Sequence, residues 1–427
     1  IDLHDTLILD KGGSVYEEQV LPLFEEANIS VNTIYTERAN HARDYIHEQT
    51  LDEYDGLISV GGDGMFSEVC HSLLLKTAQQ NGLNINDPNT HLKRSSLRIG
   101  VIPAGSTDAI AFGTTGYNDP ITSVLQIIVG ESFLIDIATA HSERGFVRFM
   151  ATMFAYGFFG NIIEQSDHWR FFGPLRYSLA GFVQFIRNKS YHTEVTITQA
   201  SEKCSAKAPV ENHDENVFGN SVKRREIFGK NVEVDERINS EKSSLPLQIK
   251  REDYYKTINC LNMPCRCEDS KYGMSPSVHL NDGSFDLILV KRSWRLGFFR
   301  FLHRVANDGR QIEELSNVER YRATEVVIRP IVTRQKELGN WACDGEVIQA
   351  NEIRIRAHHQ ALNLFASGIH PDQIKKINEE ESKIIHKSIM EKFCSITNTL
   401  TAGSWRSALL FCFLPFLFFL CYRFFLL

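Results

Sequence analysis

A glycine-rich turn that carries one carboxylate is the stretch best suited to chemistry. Residues 59–64 read SVGGDG, after a short apolar segment and before a helical pattern. Because Gly61, Gly62 and Gly64 have no Cβ atom, this backbone can approach an anion, with the helix amides aimed at phosphate. Asp63 can hold Mg²⁺ or take the proton of an attacking hydroxyl, two tasks of phosphoryl transfer. The alternative is an ordinary turn in which Asp63 caps the helix.

The elements around this turn alternate between strand and helix. Helical patterns cover residues 16–27 and 121–129, and another helix begins near Asn40, whereas residues 81–94 read as a surface loop. The polar groups that end the other strands are Thr36, Glu37 and Arg38 after residues 29–35, and Gly105, Ser106 and Thr107 after residues 97–102. This alternation predicts a parallel sheet with helices on both faces and ligands at the carboxyl ends of the strands.

The pattern becomes rich in β structure after residue 137. The β-rich runs are residues 146–159, 191–197, 278–280, 285–290, 325–328 and 352–365. They predict a second, mostly antiparallel domain. We therefore expect an α/β domain over residues 1–140 and a β-rich domain over 141–368. Residues 201–253, which are polar with few apolar anchors, predict a disordered insertion in the second domain.

Composition limits the classes of function. The net charge of −7 gives no global basic field, which argues against a general nucleic-acid binder. Nine cysteines without a secretory signal predict reduced thiols in the cytoplasm. Because the chain opens at Ile1 rather than at Met, we expect further sequence upstream.

The carboxyl end combines a charged helical linker, residues 369–404, with an apolar tail, residues 405–427. Residues 408–422 of the tail carry no charge, and the apolar run approaches the roughly 20 residues that span a bilayer. One interpretation is a membrane anchor, and the other is a translated non-coding stretch.

Several motifs occur in an order that resembles the lipid kinase superfamily of diacylglycerol, sphingosine and ceramide kinases. They are the Asp63 turn, Thr36-Glu37-Arg38, the run IPAGSTDAIA from Ile102, and Asp344-Gly345-Glu346. The runs GGDGMFSEV, SSLRIGVIPAGSTD, YGFFG and NWACDGEV are most similar to the ceramide branch. The similarity extends over residues 16–368, with gaps at the insertion.

This resemblance implies an α/β nucleotide-binding domain, then a β-sandwich lipid-binding domain, with catalysis in the cleft between them. It implies ATP as the phosphoryl donor, Mg²⁺ as the metal and the primary hydroxyl of ceramide or a related sphingolipid as the acceptor. The enzyme would then work at a membrane surface, as a peripheral or tail-anchored protein on intracellular membranes. Sphingosine kinase, diacylglycerol kinase and a catalytically silent lipid-binding scaffold remain as alternatives.

The resemblance also implies roles for individual residues. Asp63 matches the general base, Asp344 a metal ligand and Asn161 a contact to the lipid head group. The nucleotide-binding positions are Lys11, Gly12, Gly13, Thr36, Glu37, Arg38, Gly61, Gly62, Gly64, Gly105, Ser106, Thr107, Arg170, Arg176 and Glu346. Taken alone, the run from Asp344 to Glu346 is typical of a hairpin turn, and the two arginines, beside aromatic residues, are also typical of solvated or membrane-facing positions.

Two positions depart from the family pattern. The region from Leu7 reads LILDKGGSVYEE and lacks the asparagine-proline and much of the family's phosphate loop, which predicts weakened ATP binding. Asn161 stands where related enzymes usually carry an aspartate. An amide offers hydrogen bonds without charge, which favours a neutral amide lipid over a cationic amine.

Two further segments allow two interpretations each. Cys260, Cys265 and Cys267 form either a metal- or redox-sensitive group or a set of buried thiols, because an obvious fourth ligand is missing. Residues 291–304, KRSWRLGFFRFLHR, carry six basic residues among apolar ones. They predict either a membrane-docking amphipathic helix or a core helix with a solvated basic face.

Overall fold

The structure is a computed structural model that describes residues 5–10, 13–105, 107–173, 175–200, 247–266, 270, 272–276, 278–307, 309–332 and 338–367. Lys11, Gly12, Ser106, Cys267, the linker, the apolar tail and most of the predicted insertion lie outside these residues. Within the described part, no helix combines the length and hydropathy needed to cross a membrane.

The amino-terminal part is a parallel sheet covered by helices. Its strands are β1 (Asp5–Asp10), β2 (Ser30–Tyr35), β3 (Gly56–Gly61) and β4 (Arg98–Pro103), in the order β2-β1-β3-β4. The helices are α1 (Leu21–Glu26), which continues a π-helical turn at Tyr16–Val20, α2 (His41–Glu48), α3 (Asp63–Gln80), α4 (Ala109–Thr115) and α5 (Pro120–Val129). All six residues of β3 are buried, as expected for a strand with helices on both faces. The α/β prediction is confirmed.

The remaining strands join the same 14-stranded sheet, and pair almost entirely in antiparallel fashion. They are β5 (Phe133–Ser142), β6 (Gly145–Met150), β7 (Met153–Gly157), β8 (Tyr191–Gln199), β9 (Gln248–Leu261), β10 (Phe285–Lys291), β11 (Val318–Pro330), β12 (Trp341–Cys343), β13 (Glu346–Ile348) and β14 (Ile353–Leu364). Both β9 and β11 pair with β8 along one part of their length and with β10 along another. The prediction of a β-rich second region is confirmed. The predicted disordered insertion is wrong at residues 248–253, which begin β9 and pair with β8.

In the described part of the chain, three helices pack against this second region. They are α6 (Phe158–Asp167), α7 (Leu175–Arg187) and α8 (Arg295–Asn307), with 3₁₀ turns at Arg170–Phe172 and Gly309–Glu314. The predicted β run at 146–159 ends earlier, because Gly157 has φ 87° and α6 begins directly after it. The strand predicted at 278–280 is wrong. The carbonyl of Leu280 instead accepts a 2.6 Å hydrogen bond from the Asp136 amide.

The last strand, β14, links the two parts of the sheet. It pairs with β5 and β11, and it meets β4 through one parallel pair, Leu364 with Ile99. The next residue, Phe365, donates its amide to the Ile99 carbonyl at 2.9 Å, and the Arg98 guanidinium lies 4.1 Å from the Phe365 ring centroid. Phe365 therefore belongs to the core on the amino-terminal side of the molecule.

Candidate active site

The two glycine turns adjoin each other at the ends of β3 and β4. Gly61 is paired with Pro103, and the Ala104 amide donates a 3.2 Å hydrogen bond to the Gly61 carbonyl. A Cβ atom on Gly105 would lie 2.6 Å from the Cα atom of Gly62, closer than real Cβ contacts allow. The close approach therefore requires glycine at position 105.

Gly64 differs from Gly62 and Gly105, because a Cβ atom on Gly64 would meet no atom within 4 Å. The open side of the first turn is thus at the exposed start of α3, where the sequence predicts phosphate binding. Of the other predicted phosphate contacts, Thr107 is exposed, and Gly13 has φ 53° with open space around its Cα.

Asp63 is the first residue of α3, yet its carboxylate caps a different helix. Oδ2 accepts a hydrogen bond from the Ala109 amide and Oδ1 accepts one from the Ile110 amide, both at 3.0 Å. These amides begin α4, so Asp63 joins the first glycine turn to the helix that follows the second. The simple alternative, in which Asp63 caps its own helix, is wrong because that helix has no side-chain cap.

The environment of Asp63 favours a basic carboxylate. Burial raises the pKa of Asp63, the two amide hydrogen bonds oppose this rise, and the charge of Asp344 adds to it. The net direction is upward, which makes the carboxylate a better proton acceptor than an exposed aspartate. Asp344 of the second region is therefore near enough for its charge to act on Asp63.

A second aspartate, Asp108, shapes the Gly105 turn. It is 3% exposed, has φ 49°, and its two carboxylate oxygens each lie 3.1 Å from the Gly105 amide that donates to them. The sequence interpretation quoted the motif that contains Asp108 but gave this residue no role. A left-handed aspartate directly before a helix is its structural signal.

Asp344 holds the turn between β6 and β7. Oδ1 accepts hydrogen bonds from the Thr152 amide at 2.9 Å, the Thr152 hydroxyl at 2.5 Å and the Met153 amide at 3.0 Å. Among the described residues, Oδ2 accepts one hydrogen bond, from the Ala151 amide at 2.8 Å. Magnesium in kinases needs one or two carboxylates, with phosphate oxygens and waters completing the shell. Because Oδ2 keeps a lone pair, Asp344 fits such a role, which stays a prediction.

Arg148 connects three elements around the site, and the sequence interpretation did not identify it. Its guanidinium forms a two-pronged ion pair with Glu346 and donates to the Ser67 hydroxyl at 3.0 Å, one turn after Asp63 in α3. Burial lowers the pKa of Arg148, but the hydrogen bond and charge of Glu346, together with the charges of Cys343 and Asp344, raise it, and the net shift is upward. Glu346 is therefore tied to the helix that begins with Asp63.

Other predicted nucleotide contacts lie further from these turns along the chain. The Glu37 amide donates to His41 Nδ1 at 3.1 Å, and Arg38 pairs with Asp44 at 2.7 Å, so the end of β2 is fixed to α2. Their nucleotide role, like that of Thr36 in the same segment, stays a prediction.

Arg170 and Arg176 make contacts within their own segment. Arg170 is exposed and pairs with Asp167 at 3.1 Å. Arg176 donates to the Tyr177 hydroxyl at 2.6 Å, with its guanidinium carbon 4.6 Å from the centroid of the same ring. Both of the interpretations given for these arginines stay open.

Asn161 lies in α6 and is 6% exposed. Its Nδ2 donates to the Tyr191 hydroxyl at 2.6 Å, and its Oδ1 accepts from the backbone amide of Asn340 at 2.9 Å and from Asn340 Nδ2 at 3.1 Å. Asn161 thus positions the segment that leads into β12 and Asp344. The predicted contact to the lipid head group stays a prediction.

The cysteine segment favours buried thiols in its described part. Cys260 is fully buried, and burial raises its pKa. Cys265 is half-buried at φ 53°. Among the residues that the structure describes, no three histidine, cysteine or acidic side chains are grouped to hold a metal ion.

Comparison with known proteins identifies the two parts of the chain. The sequence model of the diacylglycerol kinase catalytic domain matches residues 10–140, and that of the ceramide kinase C-terminal domain matches residues 227–380. The ceramide kinase of Mus musculus is 35% identical over 390 residues, which cover 84% of this chain and 72% of the mouse protein. The Homo sapiens ceramide kinase is 34% identical over 384 residues, covering 84% of this chain and 71% of the relative.

Solved structures agree on the fold. A putative diacylglycerol kinase from Bacillus anthracis str. Sterne superposes with a TM-score of 0.57 at 13% identity, over 86% of this chain and 96% of that one. This similarity concerns the fold alone. Taken together, the sequence relatives and the two domain matches show that the chain belongs to the ceramide kinase family.

Proposed function

We propose that this protein uses ATP to phosphorylate the primary hydroxyl of ceramide, forming ceramide 1-phosphate. The observation that carries the proposal is the position of Asp63, whose carboxylate is held by the Ala109 and Ile110 amides where the two glycine turns meet. The mouse and human relatives, both named ceramide kinase, support the choice of lipid.

Asp63 would accept the proton of the ceramide hydroxyl. The hydroxyl oxygen forms a bond to the γ-phosphorus, the bond from that phosphorus to the bridging oxygen breaks, and ADP leaves. Each oxygen of Asp63 accepts one amide hydrogen bond, so a lone pair remains for the incoming proton. The pKa of Asp63, raised by burial, increases its affinity for that proton.

The nucleotide phosphates would lie against the backbone of the two glycine turns. Gly62, Gly64 and Gly105 allow close approach of an anion to the amides of this region. Magnesium, when bound, would neutralise charge that develops on the phosphoryl oxygens. Asp344 would hold it through Oδ2, and Arg148 would orient Glu346 toward the nucleotide through their ion pair.

The lipid would enter through the second region, near Asn161. The amide of Asn161 is uncharged, which supports a neutral ceramide over sphingosine, whose amine is cationic. We further propose a cytoplasmic protein that works on intracellular membranes, bound peripherally or through the apolar tail.

Phosphate transfer from labelled ATP to ceramide, sphingosine and diacylglycerol tests this function. We expect ceramide to be labelled fastest, and Asp63→Asn to reduce kcat by about two to four orders of magnitude, the usual contribution of a general base. Thr90→Ala, in the surface loop 81–94, is the control variant, purified and assayed in the same way but changed outside the candidate site. Failure of ceramide to be labelled above the Asp63→Asn background would refute the proposal.

A second candidate is a lipid-binding scaffold without activity. It is favoured by one observation, the shortened phosphate loop at residues 7–18. Thermal unfolding with and without MgATP separates the two functions. A rise in Tm with MgATP supports the kinase, because a ligand that binds only the native state stabilises it. Ceramide binding with no response to nucleotide supports the scaffold.

A further inference from the structure

An exposed surface of mixed apolar and basic character lies where α7 ends and α8 begins. Its apolar members are Ile186, Trp294 and Leu296, which are 50%, 90% and 76% exposed. Its basic members are Arg187, Arg292 and Arg295, all exposed. We call these six residues the α7–α8 face.

Hydrogen bonds join the separate segments of this face. Arg295 donates to the Ile186 carbonyl at 3.0 Å, which connects the start of α8 to the end of α7. The Arg292 amide donates to the Tyr254 carbonyl at 2.6 Å, and Lys256 donates to the carbonyl and side chain of Asn188, both at 2.7 Å. The face is therefore a fixed surface built on β9, rather than a set of unrelated side chains.

The charge of the face is positive and largely unopposed. Within the described residues, no carboxylate lies within ion-pair distance of its three arginines, whereas nearby Lys291 is paired with Glu319 and Asp253. Burial, together with the charges of Arg292 and Arg295, lowers the pKa of Lys256 to about 8. This shift agrees with a locally positive potential.

The apolar residues of the face are not needed for the core. The side of α8 that packs inward is formed by Phe298, Phe301 and Leu302, each at most 2% exposed. Phe298 contacts Phe158 of α6 with 4.8 Å between ring centroids. Trp294 and Leu296 instead point away from this packed side, and α6 also carries Asn161.

We propose that the α7–α8 face docks on the surface of an anionic lipid bilayer, with Trp294, Leu296 and Ile186 inserted at the interface and the three arginines on the lipid head groups. Tryptophan is favoured at membrane interfaces, and arginine binds anionic lipids while its stem covers apolar surface. This inference rests on the proposed function, because a water-insoluble acceptor must be collected from a membrane.

Fluorescence quenching by brominated phosphatidylcholine tests the insertion of Trp294 in the full chain. The chain has four tryptophans, and Trp405 belongs to the apolar tail. We compare the wild type with Trp294→Phe, so that quenching of the other three cancels. We expect the wild type to lose more emission than the variant on vesicles that contain roughly one third phosphatidylserine. Equal quenching would refute insertion.

Vesicle binding tests the charge of the face. In Arg292→Gln/Arg295→Gln, affinity for phosphatidylserine vesicles should fall about fivefold for each arginine, and affinity for pure phosphatidylcholine should stay unchanged. The matched control is Leu125→Ser, because Leu125 is 50% exposed on α5, which contains no basic residue. Unaltered binding by the double variant overturns the proposal.

Two other outcomes are distinct. If wild-type sedimentation depends on protein concentration and Leu296→Ser abolishes that dependence, the face binds a second copy of the chain and the membrane assignment is wrong. If Trp294 inserts but ceramide is never phosphorylated, the proposed function fails and the docking face stands. Neither fluorescence nor vesicle binding requires catalysis.

Discussion

Gly62 and Gly105 pack backbone against backbone, so that a Cβ atom on Gly105 would lie 2.6 Å from the Gly62 Cα and equally close to Asp108 Oδ1. Gly105→Ala should therefore separate the two turns, lower the Tm and weaken ATP binding. Gly64→Ala is the matched control for stability without nucleotide, since its Cβ meets open space and alanine in a helix should keep or slightly raise the Tm. Thermal unfolding with and without MgATP measures both effects. An unchanged Tm in Gly105→Ala would contradict the packing argument.

Arg148 and Glu346 should be energetically coupled. We expect a double-mutant cycle of Arg148→Ala and Glu346→Ala to give a coupling of about 1 kcal/mol in the free energy of unfolding, because the pair is two-pronged but Glu346 is largely exposed. Urea unfolding measures it. Strict additivity of the two single changes would show that the ion pair contributes nothing.

The same pair should also affect catalysis. Arg148→Lys keeps the charge but loses the two-pronged geometry, so kcat should fall while KM for ceramide changes little. Ser67→Ala, which removes only the hydrogen bond to α3, is the control and should keep most of its activity. A change confined to KM for ceramide would place Arg148 on the lipid side instead.

Asn161 provides a test of lipid selectivity. Asn161→Asp keeps an acceptor for Asn340, and the Tyr191 hydroxyl can reverse and donate to the carboxylate. We expect this variant to raise kcat/KM for sphingosine relative to ceramide, because a carboxylate attracts the cationic amine. Asn161→Leu would leave the Asn340 amide and the Tyr191 hydroxyl unpaired, which costs about 2 to 4 kcal/mol of stability. An unaltered selectivity ratio in Asn161→Asp would show that position 161 does not contact the head group.

Asp136 should make stability depend on pH. Burial raises its pKa from 3.8 to about 7, although its carboxylate accepts the Gln360 amide at 2.7 Å and the Gly283 amide at 2.5 Å. The native state thus binds this proton more tightly than the unfolded chain. The stabilising contribution is complete below pH 3.8 and is lost as the pH rises through 7. The total stabilisation that is lost between low and high pH is at most about 4 kcal/mol.

Urea unfolding at several pH values checks this expectation against Asp136→Asn. The variant should be less stable overall, because its amide nitrogen faces a backbone donor. It lacks the pH dependence that Asp136 adds to the free energy of unfolding. The wild type minus variant difference should therefore shrink from pH 4 to pH 7. A difference that stays constant over this range would refute the titration of Asp136.

The sequence was most informative where chemistry and local backbone depend on a few neighbouring residues. The strand, glycine and helix order around Asp63 predicted its turn, and the burial of all six β3 residues followed from the parallel sheet. The partner of Asp63 was not predictable in the same way. Ala109 and Ile110 offer only backbone amides, and such donors have no side-chain signature in a sequence.

Long-range contacts account for most of what the sequence did not predict. Arg148 occurs in an ordinary strand, and only the fold brings it to Ser67 and Glu346. The start of α6 was not predicted, because its first residues are aromatic like those of β7 and read as part of the same strand. Its start depends on Gly157, whose left-handed backbone lies against the Lys256 carbonyl.

The contact of Phe365 with the amino-terminal core affects the order of events during synthesis on the ribosome. Phe365 fills space against Gly56, where a Cβ atom would lie 2.5 Å from the aromatic ring, and its amide extends the pairing with Ile99. The amino-terminal core is thus complete only after Phe365, one of the last described residues, has been synthesised. A nascent chain that ends before β14 leaves Ile99 on the edge of β4 without these partners, and unpaired strand edges are targets for chaperones and for aggregation.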